Sequence, residues 1–297
     1  MASRELEKLT EQMRAIGPVS SDPMSMRRMY SRAPAYPKPA DITWETVDAA
    51  GVPAEWVTPQ DCEPDRAIVY LHGGGYATGS VESFRAVSSH LARAARSRVL
   101  AVDYRLAPEH PYPAALDDAI AAYGFVRAAG FAPRQVALVG DSSGGGLVLG
   151  TLLALRDAGE PLPRTAVCLS PWTDLTLSGA SIRTNADVDP MVSASTLELM
   201  AEAYLGDLDR RTPNASPLFA DLAGLPPLLV QVGSTEILLD DAERFADAAT
   251  DAGVDVTLEV WDGAIHVWHS FADLLPEARD AMARIGAYLD QRFGGSS

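Results

Sequence analysis

Gly140-Asp141-Ser142-Ser143-Gly144 is the segment of this 297-residue chain whose residue types and spacing speak most directly of chemistry. It follows the apolar run Val136-Ala-Leu-Val139 and leads into a helix-like stretch from Gly145. Strand, G-x-S-x-G turn and helix in that order hold the central serine up at a sharp bend. Small residues at Gly140 and Gly144 let the main chain reverse, and the Ser142 hydroxyl is left exposed. The helix starting behind it offers unpaired N–H groups and the positive end of its dipole. The phosphate-binding patterns Gly-x4-Gly-Lys and Gly-x-Gly-x-x-Gly occur at neither glycine cluster of the chain. A nucleophile is therefore expected here. The hydroxyl of Ser143 reads as a decoy beside it.

His72-Gly73-Gly74-Gly75 is the second such segment, directly after Ile68-Val-Tyr-Leu71. Consecutive glycines cost backbone entropy, which points to main chain approaching a ligand closely. The N–H groups of Gly74 and Gly75, with that of Ser143, are candidate donors to a developing oxyanion. A serine at its free pKa is a poor nucleophile and needs a base, which in turn needs an orienting carboxylate. The chain has five histidines, His72, His90, His110, His266 and His269. The order serine, acid, histidine that accompanies this kind of elbow leaves the last two. His266 follows Gly263-Ala-Ile at an expected loop tip and is the preferred base; His269 falls at an expected helix start. As a metal pair they lack a third ligand at a recognisable spacing. For the acid, Glu236 stands closest to the end of the strand-like Leu228–Gly233 and is preferred. Asp240, the alternative, and Asp241 lie a turn further on, where acidic residues commonly face a helix dipole.

Around these residues the chain alternates. Short apolar runs at Ala54–Val57, Ala67–Leu71, Val99–Val102, Val136–Val139, Ala166–Leu169, Leu228–Val232 and Val256–Val260 are strand-sized. Most are continuous, as expected for parallel strands buried on both faces. Helical stretches are expected at Ser83–Ala95, Ala114–Ala129, Gly145–Ala158, Asp240–Ala252 and Pro276–Arg292. The pattern is that of an α/β domain with a parallel sheet covered on both sides. An amphipathic helix is expected at Arg4–Ile16, followed by a passage with Pro34, Pro37 and Pro39. Residues 178–213 break the alternation, with one helix expected at Ser193–Tyr204. That segment is too long for an ordinary connector and reads as a lid packing with the N-terminal helix. The Gly294–Ser297 tail reads as a frayed end.

Composition narrows the partners. With 24 basic and 40 acidic residues the net charge is −16, which repels nucleic acid and anionic lipid. No apolar run is long enough to cross a membrane, and the charged start has no signal-peptide core. Two cysteines, Cys62 and Cys168, make no disulfide framework. A cytoplasmic location is the expectation.

Four motifs in order, His72–Gly75, Asp103-Tyr-Arg-Leu-Ala-Pro-Glu-His110, Gly140-Asp-Ser-Ser-Gly-Gly145 and Ser170-Pro-Trp-Thr-Asp174, resemble the hormone-sensitive-lipase-like branch of α/β-hydrolases, the bacterial family IV esterases. The resemblance runs from about Ala67 to Phe271. It implies an α/β-hydrolase fold with a mostly parallel eight-stranded sheet: a catalytic domain over 45–297 and a helical cap from 1–44 and 178–213. It implies a triad of Ser142, an acid and His266, and an oxyanion hole from the backbone of Gly74, Gly75 and Ser143. It implies hydrolysis of short- to medium-chain acyl esters with no cofactor and no metal, and it makes a homodimer a candidate assembly. Lactones and acetyl groups suit the same machinery, and a non-catalytic receptor is the reading from another class. Ser143 stands where the family usually has alanine, and Glu236 where it usually has aspartate. Tyr104, Arg105 and Glu109 read as braces of the oxyanion loop. Tyr76, Trp172 and Tyr204, with Met191 and Trp268, are candidates for the pocket wall; core packing is the competing reading for each.

Overall fold

The computed structural model describes residues 2–17, 22–30 and 36–294. Pro34 and residues 295–297 of the glycine-serine tail lie outside the described residues.

Eight strands form one sheet in the order β1-β2-β4-β3-β5-β6-β7-β8. They are β1 Ile42–Asp48, β2 Pro53–Pro59, β3 Ala67–Leu71, β4 Arg98–Val102, β5 Val136–Asp141, β6 Thr165–Leu169, β7 Leu228–Gly233 and β8 Val256–Trp261. β1 pairs antiparallel with β2, and β2 antiparallel with β4; all other pairings are parallel. The central strands β3, β5, β6 and β7 are buried at every residue, as their continuous apolar runs require. β8 is different. Its run is interrupted by Thr257 and Glu259, and it forms the edge of the sheet and is partly exposed throughout. β1 gives no apolar run at all: Ile-Thr-Trp-Glu-Thr-Val-Asp leaves only Ile42 buried, so its hairpin with β2 identifies it and its composition does not.

Two layers of helix cover the sheet. On one face lie α3 (Arg85–Ala95) and α9 (Pro276–Gly294), whose Val87, Leu91, Met282, Ile285 and Leu289 pack on Ile68, Tyr70 and Val139. On the other lie α4 (Ala114–Ala128), α5 (Ser143–Asp157) and α8 (Leu239–Asp251), over Val69, Leu71 and Leu138. Successive residues of β3 thus feed opposite layers, the period-two rule of a strand buried on both sides.

Four further helices among the described residues belong to the chain's start and to its long insertion. α1 (Arg4–Ile16) is capped by the Ser3 hydroxyl. It is anchored by bonds from Ser3 N and Oγ to the Glu277 carboxylate at 2.6 and 2.9 Å, and by Leu6 buried among Ala264, Ile265 and Trp268. α2 (Pro23–Tyr30) was not expected; its Arg27 donates to Ala77 O at 2.6 Å and to Ala107 O, and pairs with Glu109 at 2.7 Å. The insertion carries the short α6 (Ser181–Thr184) and the expected α7 (Ala194–Leu205). Among the described residues no helix is long and apolar enough to cross a membrane.

The α3–α9 seam is set by a glycine. A Cβ at Gly286 would sit 2.1 Å from Ala94 O, backbone that cannot yield. Gly286→Ala should therefore cost about 1–3 kcal/mol as an overpacking substitution. Gly124, exposed inside α4, has nothing within 4 Å of its absent Cβ. Gly124→Ala should instead gain about 0.5–1 kcal/mol from helix propensity alone. Thermal melts of the two variants, moving in opposite directions from wild type, check both.

Candidate active site

Ser142 lies between the last residue of β5 and the first of α5, with φ 53° and ψ −122°. Positive φ in a residue with a side chain costs about 1–3 kcal/mol and persists only where the surroundings enforce it. Here four main-chain bonds do so. Ser142 N donates to Leu169 O at 2.8 Å, and Ser142 O accepts from Gly145 N at 3.0, Gly146 N at 3.2 and Trp172 N at 3.0 Å. The flanking glycines are needed for space. A Cβ at Gly140 would lie 2.3 Å from Gly144 O, and one at Gly144 would lie 2.0 Å from Leu71 O.

His266, in the loop after β8, reaches this serine: its Nε2 is 2.9 Å from Ser142 Oγ. Its Nδ1 is 2.7 Å from Glu236 Oε2, at the end of β7. Glu236 is wholly buried, and its other oxygen accepts from Ser170 Oγ at 2.7 and Gly233 N at 2.6 Å. Ser170 then accepts from Val267 N at 3.2 Å, so one hydroxyl ties the acid to the residue after the histidine. Nothing in the sequence reading gave Ser170 this role, although it opens one of the four motifs. Burial alone would depress the His266 pKa; the charge and hydrogen bond of Glu236, with the charges of Asp189 and Asp141, outweigh it and hold it above the ordinary 6.5.

The alternative acids are engaged elsewhere. Asp240 accepts from the amides of Ala180 and Ser181 in front of α6. Asp241 accepts from Thr173 N and Asp174 N, each at 2.8 Å, and burial raises its carboxyl to about 7. His269 faces Gln231 Oε1 at 2.8 Å, away from His266's partners, and burial holds its pKa at about 3. Among the described residues no group of three or more His, Cys, Asp or Glu is placed to hold a metal.

The glycine loop packs against the elbow. Gly74 and Gly75 have φ 115° and 63°, open to glycine and strained for other residues. Among the described residues no acceptor takes the amide hydrogens of Gly74, Gly75 or Ser143. Gly73 lies so close to the elbow that a Cβ would be 2.3 Å from Asp141 Oδ2. Asp141 in turn accepts from Gly73 N at 3.1 and Tyr70 OH at 2.5 Å, and burial lifts its pKa to about 6. The Ser143 hydroxyl is no idle decoy: it accepts from Tyr76 N at 3.2 Å and pins the far end of the glycine loop. Tyr104 braces the near end, donating to His72 O at 2.7 Å and stacking on the His72 ring at 4.4 Å. Glu109 acts on this region through Arg27. Arg105 does not; its guanidinium grips Asp118 of α4 at 2.7 Å.

Ser142 and His266 open into a cavity of about 410 Å³. Its walls come from α1 (Met13, Ile16), from Met26 of α2, and from Pro190, Met191, Val192, Leu197 and Met200 of the insertion. Four of the chain's eight methionines face it. Tyr76, Trp172 and Tyr204 are not among the walls. All three are at most 1 % exposed, and the Tyr76 and Tyr204 rings stack at 3.9 Å with Trp172 beside Tyr76 at 6.1 Å. Large aromatic rings bury more area in such a stack than a cavity wall allows. Trp268 is likewise packed with Leu6 and Ala264, whereas Met191 does face the cavity.

Residues 68–270 match the family model described as the α/β hydrolase fold. The chain is 46 % identical over 296 residues to an acetyl-hydrolase of Streptomyces hygroscopicus, covering 99 % of each. It is 37 % identical over 254 residues to an esterase of Acinetobacter venetianus, covering 85 % of this chain and 84 % of that one. Among solved structures, an esterase of the bacterial hormone-sensitive lipase family superposes with a TM-score of 0.92 at 48 % identity, over 99 % of this chain and all of that one (100 %). An esterase/lipase from an uncultured bacterium superposes with a TM-score of 0.95 at 42 % identity over the same shares, 99 % and 100 %.

The electrostatics of His266 can be checked on the folded protein without substrate. Its imidazole, followed by NMR, should titrate with a midpoint above 6.5. In Glu236→Gln the main stabiliser of the cation is gone while burial remains, so the midpoint should fall.

Proposed function

The chain belongs to the α/β-hydrolase fold family, in its hormone-sensitive-lipase branch, and is a carboxylic ester hydrolase; we propose that it works by acyl transfer through Ser142, with His266 as base and Glu236 as orienting acid. The observation that carries this reading is the unbroken run Ser142 Oγ, His266 Nε2, His266 Nδ1, Glu236 Oε2, with steps of 2.9 and 2.7 Å across the imidazole. The ester carbonyl lies between Ser142 Oγ and the free amides of Gly74, Gly75 and Ser143. His266 takes the serine proton as Oγ attacks, and Glu236 holds the ring in the tautomer with its proton on Nδ1. The alkoxide that forms is met by amides already in place, each worth about 2.7–4 kcal/mol in comparable sites. His266 then gives its proton to the leaving alcohol, and water repeats the cycle on the acyl-enzyme.

We place α1, α2 and residues 178–213 as a cap on the catalytic domain; the expected boundary between 1–44 and 45–297 moves back to Ile42, because β1 starts there and pairs with β2. Met13, Ile16, Met26, Met191 and Met200 support this, since both stretches wall the cavity over Ser142. The substrates are esters of short to medium acyl chains. The whole-length likeness to an acetyl-hydrolase favours acetyl groups among them, and lactones suit the same route. A cytoplasmic homodimer belongs to the same reading, resting on composition and on family resemblance.

An aryl-ester series from acetate to laurate should show turnover highest among the shorter chains. Ser142→Ala and His266→Ala should each remove nearly all of it, up to ~10⁶-fold by comparison with another triad enzyme. Glu236→Gln should lose less than either, and Asp240→Asn should change it little. Intact protein that never takes up an organophosphate at Ser142 would leave a non-catalytic receptor as the better reading.

A further inference from the structure

Asp189 is a carboxylate that the triad does not absorb. It sits in the insertion between α6 and α7 and is 5 % exposed. Its oxygens serve two different parts of the site. Oδ1 accepts from Met191 N at 2.9 and Val192 N at 3.0 Å, both residues of the cavity wall. Oδ2 accepts from Ile237 N at 2.9 Å, the residue after Glu236. Beside it Asn185 Nδ2 donates to Glu236 O at 2.8 and Ser234 O at 3.2 Å. The loop carrying the acid is therefore held by the insertion as well as by the sheet. Among the described residues no cation pairs with Asp189, so three main-chain N–H groups alone compensate its charge. A buried carboxylate in that state is expensive unless its charge serves something.

We propose that Asp189 is a positioning residue for the ester hydrolysis: it locks the substrate wall to the acid loop, and its charge supports the imidazolium that forms when His266 takes the serine proton. This rests on the acyl-transfer reading above. The titratable groups whose charges act on His266 are Glu236 from the β7–α8 loop, Asp189 from the insertion, Asp141 from β5 and His269 from the turn that follows. Asp189 alone of these belongs to an element that also shapes the pocket.

Asp189→Asn keeps the shape, removes the charge and replaces one of the two accepting oxygens with an NH2 that cannot accept. With phenyl acetate, kcat should fall about tenfold, the lower end of what losing an outer partner costs a metal-bound histidine, while KM changes less. The acid limb of kcat/KM should move down by roughly half a pH unit, because losing a negative charge near the imidazole lowers its pKa. A lower melting temperature with an unmoved acid limb would make Asp189 a structural residue only and overturn the proposal. Asn185→Ala removes the uncharged half of the clamp, so it should lower kcat severalfold and leave the acid limb in place; wild-type kcat in that variant would equally overturn the clamp. Should Asp189→Asn not fold, Asp189→Ser, which keeps an acceptor and drops the charge, is read in the same way. Labelling of Ser142 by diethyl p-nitrophenyl phosphate should persist in the variants, only more slowly. Its absence from wild type would strike the acyl-transfer reading itself and not Asp189.

Discussion

The site depends on one buried hydrogen bond, between His266 Nδ1 and Glu236 Oε2 at 2.7 Å. It joins two loops that leave the sheet from adjacent strands, β7 and β8, and it decides which imidazole nitrogen faces Ser142. Parallel pairing makes this possible. Strands that run together deliver their carboxyl ends to one rim, where the connecting loops meet. β5 brings the serine, β7 the acid and β8 the histidine to that rim. The acid is wholly buried, so its charge acts on the imidazole through protein instead of water, and together with the charges of Asp189 and Asp141 it raises the His266 pKa against the desolvation that lowers it.

A second constraint is close approach of main chain. The glycine loop and the elbow touch through backbone, with room for no Cβ at Gly73, Gly140 or Gly144. This proximity leaves the amides of Gly74, Gly75 and Ser143 without an acceptor among the described residues, and neighbouring side chains carry the bracing. Asp141, Ser143 and Tyr104 each spend a polar group on the loop's backbone. Ser143 shows that a residue unusual at its motif position can still be integrated: its hydroxyl takes up the Tyr76 amide, a bond that alanine could not make.

The parts of the molecule legible in the sequence are those where one local rule dominates. Continuous apolar runs marked the central strands, because burial on both faces admits little else. The glycine patterns marked the elbow and the loop, because sterics at those points exclude other residues. Chain order, with proximity to the strand end, selected Glu236 and His266. β1 was not legible, since an edge hairpin with one buried residue has no apolar signature. The pocket was misread for a related reason. Tyr76, Trp172 and Tyr204 are conspicuous in sequence, but size favours them for a stack behind the loop, while flexible thioethers fill the irregular wall. Asn185 and Asp189 belong to no motif; their importance arises from a packing of the insertion on the acid loop that spacing cannot express.

That packing gives the insertion two duties that constrain each other. As a wall it can vary, because Met191, Val192, Leu197 and Met200 line the cavity over Ser142. As the clamp proposed above it would keep Asn185 and Asp189 at fixed distances from residues 234–237, to which they are hydrogen-bonded. The two duties are only a few residues apart, and Asp189 bonds to the amides of the wall it precedes. Variation is therefore cheapest in side chains of the wall and most costly in its backbone. A change of side chain resizes the cavity, whereas an insertion or deletion between Asn185 and Val192 would displace the support of the acid. On the proposed mechanism, specificity can be altered independently of Ser142, His266 and Glu236 only so long as the backbone path through Asp189 is kept.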